Sequence, residues 1–300
     1  MGGSAIGGDL LKALAERTFH LPIHVVRNEE VPSYVNDKTL ALIVSYSGNT
    51  EETLHAFETA VQKKHAKPIL FSTGGILKEK ALAHRLPYLE IPGGLMPRAA
   101  LPYTFIPLIF ALNKSVGFPD QTEAIHESII ILKGLREEIS KASKNHDAHR
   151  LAKALRDKIP MIYSGTPAFA PAARRWKCQM NENAKQPAAF GVFPEATHND
   201  IVGYTHPLPV HKSLGCIILR DVDESAKVKQ RLEFTKKAME KAGSQVHEVF
   251  SKGKSFLSRL LFLCYYGDFV SLFLAEEKDV DPVGIQVIDE LKAELSGANR

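Results

Sequence analysis

The most constraining feature of the 300-residue chain is an apolar run that ends in hydroxyls. Leu40-Ala41-Leu42-Ile43-Val44 has no polar member and reads as a strand buried on both faces, the kind found in parallel sheets. Ser45-Tyr46-Ser47-Gly48-Asn49-Thr50-Glu51-Glu52-Thr53 follows at once, and Leu54, Phe57, Ala60 and Val61 then recur at helical spacing. A strand that becomes a helix within a few residues belongs to a βα unit. Backbone N–H groups and the positive end of the helix dipole converge at such a junction and favour an anion. Ser45, Ser47 and Thr50 add hydroxyl donors, and Gly48 permits close approach and positive φ. The stretch reads as a phosphate cradle, though not as a P-loop, whose second glycine and lysine are missing. Ser, Asn and Thr also cap ordinary helices, so a simple capped helix is the competing reading of this stretch alone.

The same alternation runs through the chain. The first half carries strand candidates at Pro22–Val26, Leu40–Val44, Pro68–Phe71 and Leu86–Ile91, with helical patterns between them. The second half repeats the theme with strands at Ile159–Ser164, Ala188–Phe193, Leu214–Leu219 and Val246–Val249. The expectation is an α/β protein: a first domain over 1–120, a helical linker over 121–155 and a second domain over 156–300 with a C-terminal helix. Met1-Gly2-Gly3-Ser4-Ala5-Ile6-Gly7-Gly8-Asp9 reads as a glycine-rich turn opening a helix. Such a turn normally follows a strand, so the natural start is expected to lie upstream.

Composition narrows the function classes. The chain is 44% hydrophobic and 24% charged, as expected of a soluble globular protein. Its net charge of +4 is spread out, with no basic block to track a nucleic-acid backbone. Cys178, Cys216 and Cys264 are too few and too scattered for a disulfide framework or a metal-ligand spacing, which suits a reducing compartment. No metal is expected, since the twelve histidines form neither H-x-x-x-H nor H-E-x-x-H. Phe256–Leu274 is apolar but contains Arg259 and Asp268; it reads as too short and too charged to span a bilayer. The chain is therefore expected in the cytoplasm, with no nucleic-acid or membrane partner.

Two more groups carry chemistry. Pro97-Arg98-Ala99-Ala100-Leu101-Pro102 presents an arginine at a loop-to-helix junction, where a surface ion pair would be the ordinary use. Asn181-Glu182-Asn183-Ala184-Lys185 ends a helix, and Glu195-Ala196-Thr197-His198-Asn199 follows shortly after. A carboxylate and an imidazole near element ends could form an acid/base pair, although each could equally be a solvated helix-end residue.

These motifs, with Ser72–Gly75, Pro194–Asn199 and Ile288–Lys292, occur in an order that covers nearly the whole chain. In that order they resemble the bifunctional phosphoglucose/phosphomannose isomerases of the sugar isomerase (SIS) domain superfamily. The resemblance implies two SIS-type three-layer αβα domains, each a parallel sheet flanked by helices. It implies an isomerase that interconverts glucose 6-phosphate and mannose 6-phosphate with fructose 6-phosphate and needs no cofactor. Gly3, Ser4, Ser45, Ser47 and Thr50 match the phosphosugar-binding positions. Arg98 matches the arginine beside the reacting carbons, and Glu182 the base that shuttles a proton between C2 and C1. His198 matches the ring-opening histidine, supplied in the family by the neighbouring subunit, and Lys292 matches a lysine at the same site. The resemblance thus implies a homodimer with shared active sites. A non-catalytic SIS phosphosugar sensor is the alternative, but it would have no use for Glu182, Arg98 and His198 together. An isomerising amidotransferase would need a glutaminase with a nucleophilic cysteine, which these residues do not supply.

Overall fold

Among the described residues, seven strands, all paired in parallel, form two separate sheets. The computed structural model describes residues 2–298, with the side chains of Lys292 and of residues 295–298 outside the described set. The chain divides into two compact units, one up to Glu123 and one from Ala124 onward.

In the first unit, α1 (Gly2–Thr18) precedes β1 (Leu40–Val44). Next come α2 (Glu51–Phe57), which continues as a wider turn over Glu58–Lys63, and β2 (Lys67–Ser72). The unit closes with α3 (Gly75–Ala83), β3 (Tyr88–Glu90), a short turn at Pro97–Ala99 and α4 (Leu101–Val116). The sheet order is β1-β2-β3, with Leu40 opposite Lys67 and Val44 opposite Phe71. Ile43, Phe57, Leu70, Leu77 and Ala81 form a core under this sheet, which is why β1 and β2 read as continuous apolar runs.

Two expectations need correction here. Pro22–Val26 forms no strand. Its β-branched residues suit extended backbone, but a strand exists only where a neighbour completes the ladder, and none pairs with it. Instead Val25 and its neighbours line an apolar cavity of about 500 Å³ together with Leu40, Leu42, Leu108 and Leu112. The glycines near the start are also not a turn, because Gly3, Gly7 and Gly8 lie inside α1. A Cβ on Gly7 would drive into the carbonyl of Thr104 on α4, so this glycine sets how closely α1 and α4 cross.

The second unit holds α5 (Thr122–Ala142), α6 (Asp147–Leu155), β4 (Ile159–Ser164) and α7 (Ala170–Glu182). β5 (Ala189–Val192), β6 (Leu214–Arg220), α8 (Ala226–Ala242) and β7 (Gln245–Phe250) follow, then α9 (Phe256–Glu277) and α10 (Gln286–Ala298). Its sheet runs β5-β4-β6-β7. Tyr163, Phe193, Cys216, Ile218, Leu232 and Met239 pack as one core cluster. Arg220, buried at the end of β6, is neutralised by Glu224, Glu233 and Glu248.

The 22 residues of α9 are, by length and composition, enough to cross a membrane, contrary to the sequence expectation. Burial gives the apolar stretch its structural explanation: 67% of the window lies inside the protein, where α9 packs against α6 and α7.

The start of α9 also depends on a charge. The Glu127 carboxylate accepts from the Lys254 and Ser255 amides at 2.6 and 3.0 Å. Burial alone would raise its pKa, but these bonds and the nearby Ser255 and Ser258 hydroxyls outweigh it and hold it at about 2. The folded pKa lies below the ordinary 4.5, so the contribution is complete above pH 4.5 and is lost as pH falls towards 2. Glu127→Gln is expected to cost about 1 kcal/mol at pH 7, as for a lost helix cap. Denaturant melts at pH 7 and pH 3 should show a smaller difference between the two proteins at the lower pH.

Candidate active site

The hydroxyl-rich junction sits at the carboxyl ends of β1 and β2, where two loops face each other. Ser45 Oγ lies 3.0 Å from Thr50 Oγ1 and accepts from the Gly48 amide at 3.2 Å. Ser47 Oγ accepts from the Asn49 amide at 3.3 Å. Gly48 has φ of +73°, and its backbone lies so close to the Gly74 carbonyl that no side chain fits between them. The Gly48 carbonyl accepts from Leu77 N, Tyr46 O accepts from Thr73 N, and Asn49 Oδ1 accepts from Ile76 N at 3.0 Å. Asn49 therefore ties the β1–α2 loop to the start of α3. The sequence reading assigned it no role; its place beside Gly48 in the turn was the available signal.

The N-terminus of α1 meets the same place. Ser4, 8% exposed, accepts from the Tyr46 amide at 3.2 Å. A Cβ on Gly3 would lie 2.8 Å from the Pro97 carbonyl and 3.4 Å from Arg98 Cα. Arg98 is 5% exposed, on the turn that leads into α4. Tyr46 packs with Ile91 and Ala100 and accepts from the Leu95 amide at 3.0 Å. The first unit thus brings Gly3, Ser4, Ser45, Ser47, Thr50 and Arg98 into one neighbourhood, although 95 residues separate Gly3 from Arg98 in sequence. Serine and threonine hydroxyls, tight glycine backbone and a buried guanidinium are the chemistry that suits an anion.

Glu182 and His198 are not brought together. Glu182 ends α7, and the turn after it is tied to the start of β4: Gln186 N donates to Met180 O, Asn181 Nδ2 to Gln186 O, and Gln186 Nε2 to Lys158 O. His198 lies beyond the opposite end of the sheet, since Phe193 N donates to Ser164 O at the finish of β4 and His198 follows on the next short turn. The six residues of β4 between these anchors span roughly 20 Å. Within one chain, Glu182 is half-buried at one end of the sheet and His198 is exposed at the other. The side chain of Lys292 lies outside the described residues.

Cys178, Cys216 and Cys264 are free thiols, and burial pushes all three up in pKa, Cys264 to about 12. None is poised as a nucleophile at neutral pH. Among the described residues, no group of three His, Cys, Asp or Glu side chains could hold a metal ion.

Residues 144–295 match the family model for the bacterial phospho-glucose isomerase C-terminal SIS domain. A bifunctional phosphoglucose/phosphomannose isomerase from Caldicellulosiruptor bescii is 40% identical over 298 residues, 99% of this chain and 88% of that protein. The chain belongs to the bifunctional phosphoglucose/phosphomannose isomerase family. The relative of the same description from Aquifex aeolicus is 35% identical over 98% of this chain and 88% of its own length. In fold, this family member resembles the crystal structure of tagatose-6-phosphate ketose/aldose isomerase from Escherichia coli. The TM-score is 0.68 at 13% identity, covering 95% of this chain and 83% of that one. At that identity the likeness speaks for the SIS-type α/β fold alone.

Proposed function

We propose that this protein is an aldose–ketose isomerase that interconverts glucose 6-phosphate and mannose 6-phosphate with fructose 6-phosphate through an enediolate. The observation that carries the reading is the cluster of Ser45, Ser47, Thr50 and Gly48 beside Gly3, Ser4 and buried Arg98. It sits on a chain whose relatives, matched almost end to end, carry that activity in their names.

In this reading the hydroxyls and the tight backbone around Gly48 hold the 6-phosphate and fix the open-chain sugar at a distance from the reacting carbons. Glu182 removes the proton from C2 and returns it to C1. The two electrons of the broken C–H bond form the enediolate double bond, and the carbonyl oxygen takes the negative charge. The Arg98 guanidinium stabilises that oxygen. The O2 hydrogen passes to O1 as the proton is returned to C1, which leaves the carbonyl at C2. One hydrogen moves between the carbons and one between the oxygens, overall oxidation state is unchanged, and no redox partner is needed.

The separation of Glu182 from His198 favours a site completed by a second copy of the chain. If His198 opens the sugar ring next to the base, it must come from a partner subunit, because its own chain holds it at the far end of the sheet from Glu182. The same reading places Lys292 at that site and the protein in the cytoplasm, where phosphosugars occur. A sensor that binds without turnover gains no support from the relatives.

The test is a coupled assay of fructose 6-phosphate formation from each aldose 6-phosphate. Turnover of both substrates without added metal is expected, and so is exchange of the C2 proton with solvent during the reaction. Phosphosugar binding with neither turnover nor exchange would overturn the reading in favour of a sensor.

A further inference from the structure

α7 is joined to α9 by a line of buried polar contacts that ends at Glu182. Arg175, Gln179 and Asn183 recur every four residues and so lie on one face of the helix; they are 3%, 4% and 4% exposed. Arg175 makes a two-pronged contact with Asp268 on α9, Nε to Oδ1 at 3.0 Å and Nη2 to Oδ2 at 2.8 Å. Gln179 Nε2 donates to the same Oδ1 at 2.8 Å. One turn further along α9, Ser271 Oγ accepts from Asn183 Nδ2 at 2.9 Å and donates to the Asp268 carbonyl at 2.7 Å. Trp176 Nε1 donates to Leu263 O at 2.7 Å, and Gly267 lies so close beneath the indole that no Cβ fits there. The helices are thus pinned through Arg175, Trp176, Gln179 and Asn183, and Glu182 lies between the last two of these.

Apolar packing would hold two helices together without this arrangement. Burying a charged pair in place of well-packed aliphatic side chains brings little net stability, and often none. What a bidentate, fully hydrogen-bonded pair does fix is register and rotation, because it has one geometry rather than many. Burial by itself would favour a neutral Arg175; the Asp268 carboxylate outweighs this, and Glu182 acts in the same sense.

We propose that Asp268, Arg175, Gln179, Asn183 and Ser271 are positioning residues that fix the rotation of α7 and so hold the Glu182 carboxylate where it can reach the C2 proton. The inference rests on the reading of Glu182 as the base. The five residues do not touch the reacting atoms in this account; they act through the helix that carries Glu182. A proton transfer between carbons demands a donor–acceptor line held to within a fraction of an ångström, and a small misplacement of the base slows chemistry far more than it weakens binding.

The experiment compares Ser271→Ala and Asp268→Asn with Glu182→Gln and with Glu248→Gln. Glu248→Gln removes a carboxylate from the Arg220 cluster in the same unit and serves as the stability control. Ser271→Ala is expected to lower kcat about 5-fold and Asp268→Asn about 30-fold, each with KM for the aldose 6-phosphate within about 2-fold of the parent, because the phosphate anchor is untouched. The kinetic isotope effect on kcat with C2-deuterated substrate should rise in both, since proton transfer becomes more fully rate-limiting. Glu248→Gln should lower the melting temperature and leave kcat and the isotope effect unchanged. If Asp268→Asn does not fold, Ser271→Ala decides. Parent values of kcat and isotope effect in Ser271→Ala, or changes matched by Glu248→Gln, would overturn the inference. Glu182→Gln separates the two levels of the argument. Retained turnover there defeats the assignment of the base itself. Loss of turnover there, with parent kinetics in the seam variants, defeats only the positioning role.

Discussion

Mixing Glu182→Gln and His198→Ala proteins, each nearly inactive alone, is expected to restore about a quarter of the parent activity. Glu182→Gln keeps the shape of the side chain but removes the proposed base, and a lost general base typically costs 10²- to 10⁴-fold. About 10³-fold is expected for kcat, with phosphosugar binding retained, because the hydroxyl cluster lies in the first unit. His198→Ala should cost about 10²-fold if the imidazole assists ring opening. Neither chain can bring its own Glu182 and His198 together across the length of β4. In a symmetric dimer each site would therefore take one group from each chain. A mixed dimer then has one site that lacks both groups and one that has both. Half of randomly reassociated dimers are mixed and each recovers one of two sites, which gives roughly a quarter of full activity. Size-exclusion chromatography of the mixture should show a dimer. No recovery after confirmed subunit exchange would mean that the two residues do not share a site across chains.

Replacing Gly48 with alanine is expected to disable phosphate binding and to destabilise the first unit by about 2 kcal/mol or more. Two separate costs act at this position. The backbone has φ of +73°, which an L-residue adopts only with strain, and the new Cβ would press into the Gly74 carbonyl. Relief requires the β1–α2 loop to separate from the β2–α3 loop, which would weaken the Thr73–Tyr46, Ile76–Asn49 and Leu77–Gly48 hydrogen bonds. The hydroxyls of Ser45, Ser47 and Thr50 move with that loop. KM for the phosphosugar should rise about 10-fold or more while kcat at saturation falls less, because the proposed base is on a different element. Gly93→Ala is the control. Its Cβ would meet only Thr73 side-chain atoms at 3.6 and 3.8 Å, an ordinary contact, and both KM and melting temperature should stay near the parent values. An unchanged KM in Gly48→Ala would detach this loop from phosphate binding.

The seam between α7 and α9 bears on how such a protein tolerates change. Trp176 and Gly267 fit each other at one point, and the charged pair of Arg175 with Asp268 fixes rotation at the adjoining residues. A substitution at Gly267 would push the helices apart at the level of Trp176, ahead of the segment that carries Glu182. Stability and turnover are expected to be coupled along this line and uncoupled at the Arg220 cluster.

The α/β class and most of the strands were legible in local sequence pattern. Periodicity and apolar runs are local quantities, and β1, β2, β4 and β6 are each a short, largely apolar run, so each carried its own signal. The sequence also showed hydroxyls and a glycine at the β1–α2 junction, which on their own suited a phosphate cradle and a capped helix alike. Tertiary structure decided what depended on partners. Pro22–Val26 had the composition of a strand and lacked a ladder neighbour. The glycines of α1 looked like a turn and instead admit the backbones at Pro97 and Thr104, because a missing side chain has the same sequence signature in either role. α9 has the apolar length of a membrane span, and only its packing shows that unit 2 covers most of it. Residues as distant as Gly3 and Arg98 became neighbours because α1 crosses α4. Glu182 and His198, 16 residues apart in sequence, became distant because β4 and β5 run parallel between them. Spacing along a chain is one-dimensional; which end of a sheet a residue occupies is set by strand direction, and strand direction exists only once the strands have paired.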